Sequence, residues 1–249
     1  MKNTIRLIGI ITIVVIIGFS MASCGSEGDS SSPGHKHTWG VWTVTTPPTA
    51  TINGEETRIC SSCTESETKP RPPYNLGDTG PGGGKIFYKA DTGFTFFQNA
   101  TDAVGLTAYY LEAAPADMAT TLLWASDIQP IPNLSLSYTD DTDWAIGRGK
   151  KNTEIIIAHG INHGIPYTTP AASACVGYDG GSKTDWFLPS KDELSELYKN
   201  KGLLEIPNNN YFSSSQESTT SAWGREFSST WQGTFSKNGL RDVRAIRAF

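Results

Sequence analysis

Apolar positions are spread unevenly along the chain, and the unevenness divides it into regions. Residues 7–19 are apolar almost without interruption and follow the basic Lys2 and Arg6. About 13 such residues fit the core of an export signal and fall short of the roughly 20 that span a bilayer. Residues 25–34 (GSEGDSSSPG) carry no large apolar side chain. A segment of that kind cannot offset its ordering entropy and is expected to be a flexible tether. Residues 35–70 place short Thr- and Val-rich runs around turn residues at Pro47-Pro48 and Asn53-Gly54, the pattern of a small β-hairpin-like unit.

From Tyr74 the pattern changes again. Strands are predicted at 85–88, 109–114, 211–215, 222–227, 233–236 and 243–249, and Asn238-Gly239 predicts a hairpin turn between the last two. One helix is predicted over 153–159, apolar at Ile155, Ile156 and Ala158 and stopped by Gly160. A second begins at Thr169-Pro170, with Thr as N-cap and Pro in the first helical position, and runs through Cys175. The third opens on a capping box of Ser190 and Glu193, sets Leu194, Leu197 and Tyr198 on one face, and ends at Gly202. Residues 71–249 are therefore expected to form an α+β domain of short antiparallel strands and two or three helices.

Composition sharpens the N-terminal reading. Small residues precede a cysteine in Met21-Ala22-Ser23-Cys24, which resembles the lipobox of bacterial lipoproteins, with Met21 where Leu is common. The resemblance implies a signal peptide over 1–23, a lipid on Cys24, and a tether over 24–34 that lifts the folded part off a membrane. Cell-envelope localisation follows, at the outer membrane or cell surface. An ordinary secretory cleavage near Ser23 is the alternative. The formal charge of −5 argues against nucleic acid as a partner, and four cysteines are too few to staple a scaffold.

The 35–70 module carries His35, His37, Trp39 and Trp42 early and Cys60-Ser61-Ser62-Cys63 late. It is similar to short repeats of bacterial surface proteins, which often have a further cysteine where Ala50 stands here. Two chemistries compete. His35 or His37 with Cys60 and Cys63 suits tetrahedral zinc, whose soft and borderline ligands are thiolate and imidazole. A local disulfide between the two cysteines is equally reasonable outside the cytoplasm, and neither is also open.

In the larger region five blocks follow one another: Gly77-Asp78-Thr79-Gly80-Pro81-Gly82-Gly83-Gly84, Leu111-Glu112-Ala113-Ala114-Pro115, Gly180-Gly181, Asp185-Trp186-Phe187-Leu188-Pro189-Ser190, and Val243-Arg244-Ala245-Ile246-Arg247-Ala248-Phe249. Together they resemble the family named for the C-terminal domain of the Lcl collagen-like adhesin, over roughly residues 74–249. The resemblance implies a fold related to C-type lectin-like domains and to formylglycine-generating enzymes. It also implies an adhesin-like role, since the named adhesin domain is associated with sulfated polysaccharides.

Candidate chemistry is sparse. The glycine run lacks the Gly-Lys-Ser/Thr ending and preceding strand of a phosphate loop, so a tight surface turn is expected. His159 and His163 are four apart but flanked by glycines, with no Glu after the first, which predicts a helix end and loop. Asp140, Asp141 and Asp143 form an oxygen-rich loop that suits calcium in principle, without the Gly and terminal Glu of an EF-hand. Cys175 is expected to be a buried structural thiol rather than half of a reactive pair. With no nucleophile elbow or Ser-His-Asp order, no enzyme and no required cofactor are expected.

For binding, two groups of cations stand out: Arg148, Lys150 and Lys151, and Arg241, Arg244 and Arg247. Residues 71–249 hold 15 Lys and Arg against 19 Asp and Glu, a net charge of −4, so the domain is not globally basic. In a closing strand Arg241 and Arg247 would share one face and Arg244 the other, and arginines there are expected to pair with carboxylates inside the fold. Trp144, Trp223 and Trp231 are the candidate aromatic contacts, because indole faces stack on sugars and anchor protein interfaces. The function expected is a lipid-anchored binding protein recognising a glycan or a host or matrix protein. The alternative is a scaffold lipoprotein of the envelope without a soluble ligand.

Overall fold

The computed structural model describes residues 36–118, 121–126, 128–135, 142–163 and 168–249. The expected signal peptide, Cys24, the tether, His35, Asp140 and Asp141 lie outside the described residues. Among those described, no helix is long and apolar enough to cross a membrane.

The module folds as a three-stranded antiparallel sheet, β1 (Thr43–Thr46), β2 (Gly54–Ile59) and β3 (Ser66–Arg71), in that order. Its register pairs Thr57 with Thr43 on one side and Thr68 on the other. The larger region begins with a long hairpin, β4 (Lys85–Phe96) and β5 (Leu106–Ala113). A short strand β6 (Leu122–Leu123) follows, then helices α1 (Gly149–His163), α2 (Pro170–Val176) and α3 (Lys191–Lys199). Five strands close the chain: β7 (Asn210–Gln216), β8 (Ser221–Glu226), β9 (Gln232–Ser236), β10 (Leu240–Arg241) and β11 (Ile246–Ala248). They belong to three sheets, β11-β5-β4, β7-β8-β9 and β10-β6, each paired antiparallel. The class is α+β, as expected, with the helices in the middle of the chain.

Helix ends follow local chemistry where that chemistry is strong. Ser190 and Glu193 form the capping box: Ser190 N–H donates to Glu193 Oε2 at 2.7 Å and Glu193 N–H to Ser190 Oγ at 3.3 Å. Thr169 holds the N-cap position of α2 without a side-chain cap bond, and Pro170 starts the helix, which buries Ala171, Ala172 and Cys175. Two expected stops move. Helix α1 passes through Gly160 to His163, so His163 lies on the helix rather than in the loop expected after His159. Helix α3 ends at Asn200, before Gly202; the Asn200 amide donates to the Phe87 carbonyl at 2.9 Å, which makes the end a tertiary contact.

One expected hairpin is also corrected. Asn238-Gly239 does turn the chain, with Gly239 N–H donating to Ser236 O. The strand after it, however, pairs with β6 rather than β9. Burial of Lys237 at the turn explains the departure. Its ammonium donates to Gln129 O at 2.9 Å and reaches Gln216 Oε1, and Trp124 and Ala125 N–H groups both donate to Lys237 O, so the turn is pulled toward β6.

The five sequence blocks meet around one carboxylate. Glu112 on β5 is fully buried and accepts from Gly82 N–H (3.0 Å), Gly84 N–H (2.7 Å) and Arg247 Nη1 (3.0 Å). Arg247 on β11 also grips Asp185 with two bonds of 2.9 Å. Burial pushes the Asp185 carboxyl up, but the Arg247 guanidinium outweighs it and holds the group below the usual carboxylate range. Trp186 Nε1 donates to Gly180 O, and Phe187 and Ile246 exchange backbone bonds. A Cβ on Gly84 would collide with the Ala113 carbonyl oxygen. The glycine run is thus more than the expected surface turn: it cradles an anion, and the anion is the chain's own.

Candidate functional site

The first cationic group lies at the start of α1, with Arg148 just before the helix and Lys150 and Lys151 in its first turn, and the fold separates its members. Lys150 pairs with Glu154 one turn on, at 3.5 Å. Arg148 and Lys151 instead converge on Phe97, which follows β4. The Arg148 guanidinium lies 3.9 Å from the ring centroid and the Lys151 ammonium 5.3 Å. Lys151 Nζ also donates to Asp102 O at 2.8 Å, fixing the loop after Phe97 against α1. Both charges are held to the ring by cation–π attraction, which at partly exposed sites is worth about 0.5–1 kcal/mol each.

These cations line one side of a groove of about 630 Å³, opposite Asn133, Leu134 and Ser135. It continues, past the shared Asn133 and Ile155, into a more apolar recess of about 310 Å³ that reaches Ala158 and Asn162. Asp143 closes the groove, its carboxylate accepting from Ser135 N–H at 2.7 Å and its carbonyl from the Asn152 amide at 2.7 Å. Asp143 is therefore tied into the wall. Phe97, Asn133 and Ser135 were not among the sequence candidates. Nothing in their local sequence sets them apart, because the contact of the 131–135 loop with α1 is made only in three dimensions.

The candidate tryptophans occupy different environments. Trp144 is buried and meets Trp223 edge-on, with centroids 5.2 Å apart. Lys191, at the start of α3, sets its ammonium over both rings at 3.8 and 4.0 Å. That packing covers Trp144, so it is a structural contact and offers no open face for stacking. Trp231, just before β9, is 45% exposed and leans on Phe235, which also meets Phe212 edge-on and carries the Arg241 guanidinium at 4.4 Å. The remaining arginines of the C-terminal group turn inward as expected: Arg244 pairs with Asp117 at 2.6 Å, and Arg247 with Glu112 and Asp185. Strand alternation does not place them, since 242–245 belong to no strand. Cys175 is fully buried and its thiol is pushed well up by burial, as a structural residue requires.

In the module, backbone bonds from Gly40 N–H to Ile59 O (2.9 Å) and Ser61 N–H to Thr38 O (2.8 Å) lay 37–40 beside 59–61. His37 thereby faces the Cys60–Cys63 turn. Its Nδ1 lies 3.4 Å from Cys63 Sγ, and one donor atom each of His37, Cys60 and Cys63 fall within 4.8 Å of one another. Cys60 and Cys63 stand as free thiols in this structure.

No protein-family model and no curated protein matches the chain. Its structure is similar to that of a fimbrial protein from Bacteroides ovatus ATCC 8483, with a TM-score of 0.50 and 12% identity. The likeness covers 80% of this chain and 57% of that one, so it extends over little more than half of the fimbrial protein. At such identity it speaks for the α+β fold.

Proposed function

We propose that the chain is an envelope binding protein, lipidated on Cys24 and displayed at the cell surface, whose groove beside α1 takes an acidic glycan. The observation that carries this reading is the convergence of Arg148 and Lys151 at a 630 Å³ groove in a domain of net negative charge. A local pair of cations selects spaced sulfate or carboxylate groups, and guanidinium binds them through paired N–H donors. Asn133 and Ser135 across the groove suit sugar hydroxyls. Resemblance to the Lcl C-terminal domain family, with its C-type-lectin-like fold, supports the same class of ligand. The fimbrial likeness is compatible with a surface adhesin.

The test is an array of neutral, carboxylated and sulfated glycans probed with the full-length chain in detergent, with and without calcium. Saturable, salt-sensitive binding to acidic glycans is expected, weakened roughly tenfold or more in R148A/K151A, as loss of charged hydrogen bonds implies. A blank on the acidic glycans, or equal binding by the double variant, would refute the reading. Binding that required calcium would move the site to the loop of Asp140, Asp141 and Asp143.

A further inference from the structure

The 36–71 sheet lacks the means to hold itself together by burial. Its buried apolar side chains are Pro48, Ala50 and Cys60, whereas Val41, Ile52 and Ile59 are 84%, 66% and 61% exposed. All of β3 but its last residue is exposed. Sheets this small need a staple from another source, such as a disulfide or a metal. At the point where the 37–40 segment crosses the Cys60–Cys63 turn, three soft or borderline donors converge.

We propose that His37, Cys60 and Cys63 form a site for a thiophilic divalent cation of the zinc type, which fastens the sheet to the segment before it. Neighbouring donors around tetrahedral zinc lie roughly 3.5 Å apart, given bonds of about 2.0–2.3 Å. Nδ1 of His37 and Sγ of Cys63 already stand at 3.4 Å. Small side-chain rotations bring Cys60 Sγ to the same spacing, and a solvent ligand takes the fourth position. Binding takes one proton from each thiol, so that two thiolates and a neutral imidazole hold the ion.

The orientation of His37 is a second, independent observation. Its other nitrogen, Nε2, lies 3.2 Å from Glu65 Oε2, and its ring stacks on Trp39 at 4.9 Å with an interplanar angle of 22°. A carboxylate that accepts the Nε2–H fixes the tautomer that leaves the Nδ1 lone pair toward the sulfurs, the usual outer support of a metal-bound histidine. Glu65 is itself placed by the turn, since Cys60 N–H donates to Glu65 O at 2.9 Å. This site stands apart from the glycan groove and does not depend on it.

Cobalt titration of the reduced full-length chain in detergent tests the assignment. One equivalent is expected to give the intense visible absorption of tetrahedral cobalt and a thiolate-to-cobalt charge-transfer band, both lost when one equivalent of zinc is added. H37A, C60S and C63S should abolish the charge-transfer spectrum or halve it, while C24S and C175A leave it intact. E65Q keeps all three donors and is expected to weaken binding by about 10–100-fold, so the assignment stays testable even if a cysteine variant fails to fold. An octahedral spectrum alone, unchanged affinity in both H37A and E65Q, or a Cys60–Cys63 disulfide in protein taken from the envelope would each overturn it.

Discussion

The 36–71 sheet and the 74–249 domain are stabilised by different physics. In the small sheet, the aromatic contacts lie toward the surface: Arg58 spans Trp39 and Trp42 at 5.0 and 4.6 Å and Lys69 covers Trp42 at 4.2 Å, while Glu56 is the one buried charge and pairs with Arg71 at 2.7 Å. In the domain, the decisive charges are inside, at Glu112 and Arg247, and aromatic residues such as Trp124, Trp186 and Phe187 are fully buried. The two regions meet at Tyr110, whose hydroxyl donates to Thr49 O at 2.7 Å, with Arg71 lying over Tyr74. Screened surface contacts can be lost one at a time. A buried charge cannot, because removing its partner leaves it without the water it gave up.

Substitutions turn this contrast into a graded series. The largest effect is expected for E112A, which strands the Gly82 and Gly84 N–H groups and half of the Arg247 guanidinium. A loss of about 3–5 kcal/mol is expected from urea denaturation, and a cost below 1 kcal/mol would show that the hub is replaceable.

Next comes pH. Burial pushes Glu193 up to about 7, against N–H donors from Ser190, Gly147 and Gly149. Its folded value lies above the unfolded one, so folding favours the protonated acid. The stabilisation is complete below about pH 4 and is lost as pH rises through 7. Over that window it amounts to at most about 3 kcal/mol. E193Q should unfold with a correspondingly flatter pH profile; an equally steep one would assign the dependence to other groups.

The smallest effect is expected for R58A in the module. It removes two cation–π contacts and the pair with Glu67, a loss of about 1 kcal/mol. Hydrogen exchange should place that loss in residues 37–71 alone, whereas E112A should raise exchange throughout the domain.

Local rules were readable in the sequence wherever one short stretch supplies both partners. The Ser190–Glu193 box is of this kind, while the start of α2 rests on Pro170 alone, because Thr169 makes no side-chain cap bond. The inward pairing of Arg244 and Arg247 was readable for another reason, since long cations in a closing segment of an acidic domain have carboxylates to find. What could not be read depends on distant partners. Gly160 does not stop α1, Asn238-Gly239 does not make a hairpin because Lys237 is held by Gln129 and Gln216, and the groove depends on Phe97 and Asn133, which carry no local mark. Trp144 looks like a ligand contact in sequence because nothing nearby announces that Lys191 will cover it.

The span between Glu112 and Arg247 has a consequence for how the chain acquires its fold. The two are 135 residues apart, and Phe249 O receives N–H bonds from Tyr109 and Tyr110 on the same sheet. Any machinery that delivers the chain from its N-terminus exposes Glu112 long before its counter-charge arrives. Until then the β4–β5 hairpin has an unpaired edge and a carboxylate that must stay in water. Closure of so long a loop is slow relative to local helix formation. The β11-β5-β4 sheet is therefore complete, and Glu112 paired, only once the segment bearing Arg247 has been supplied.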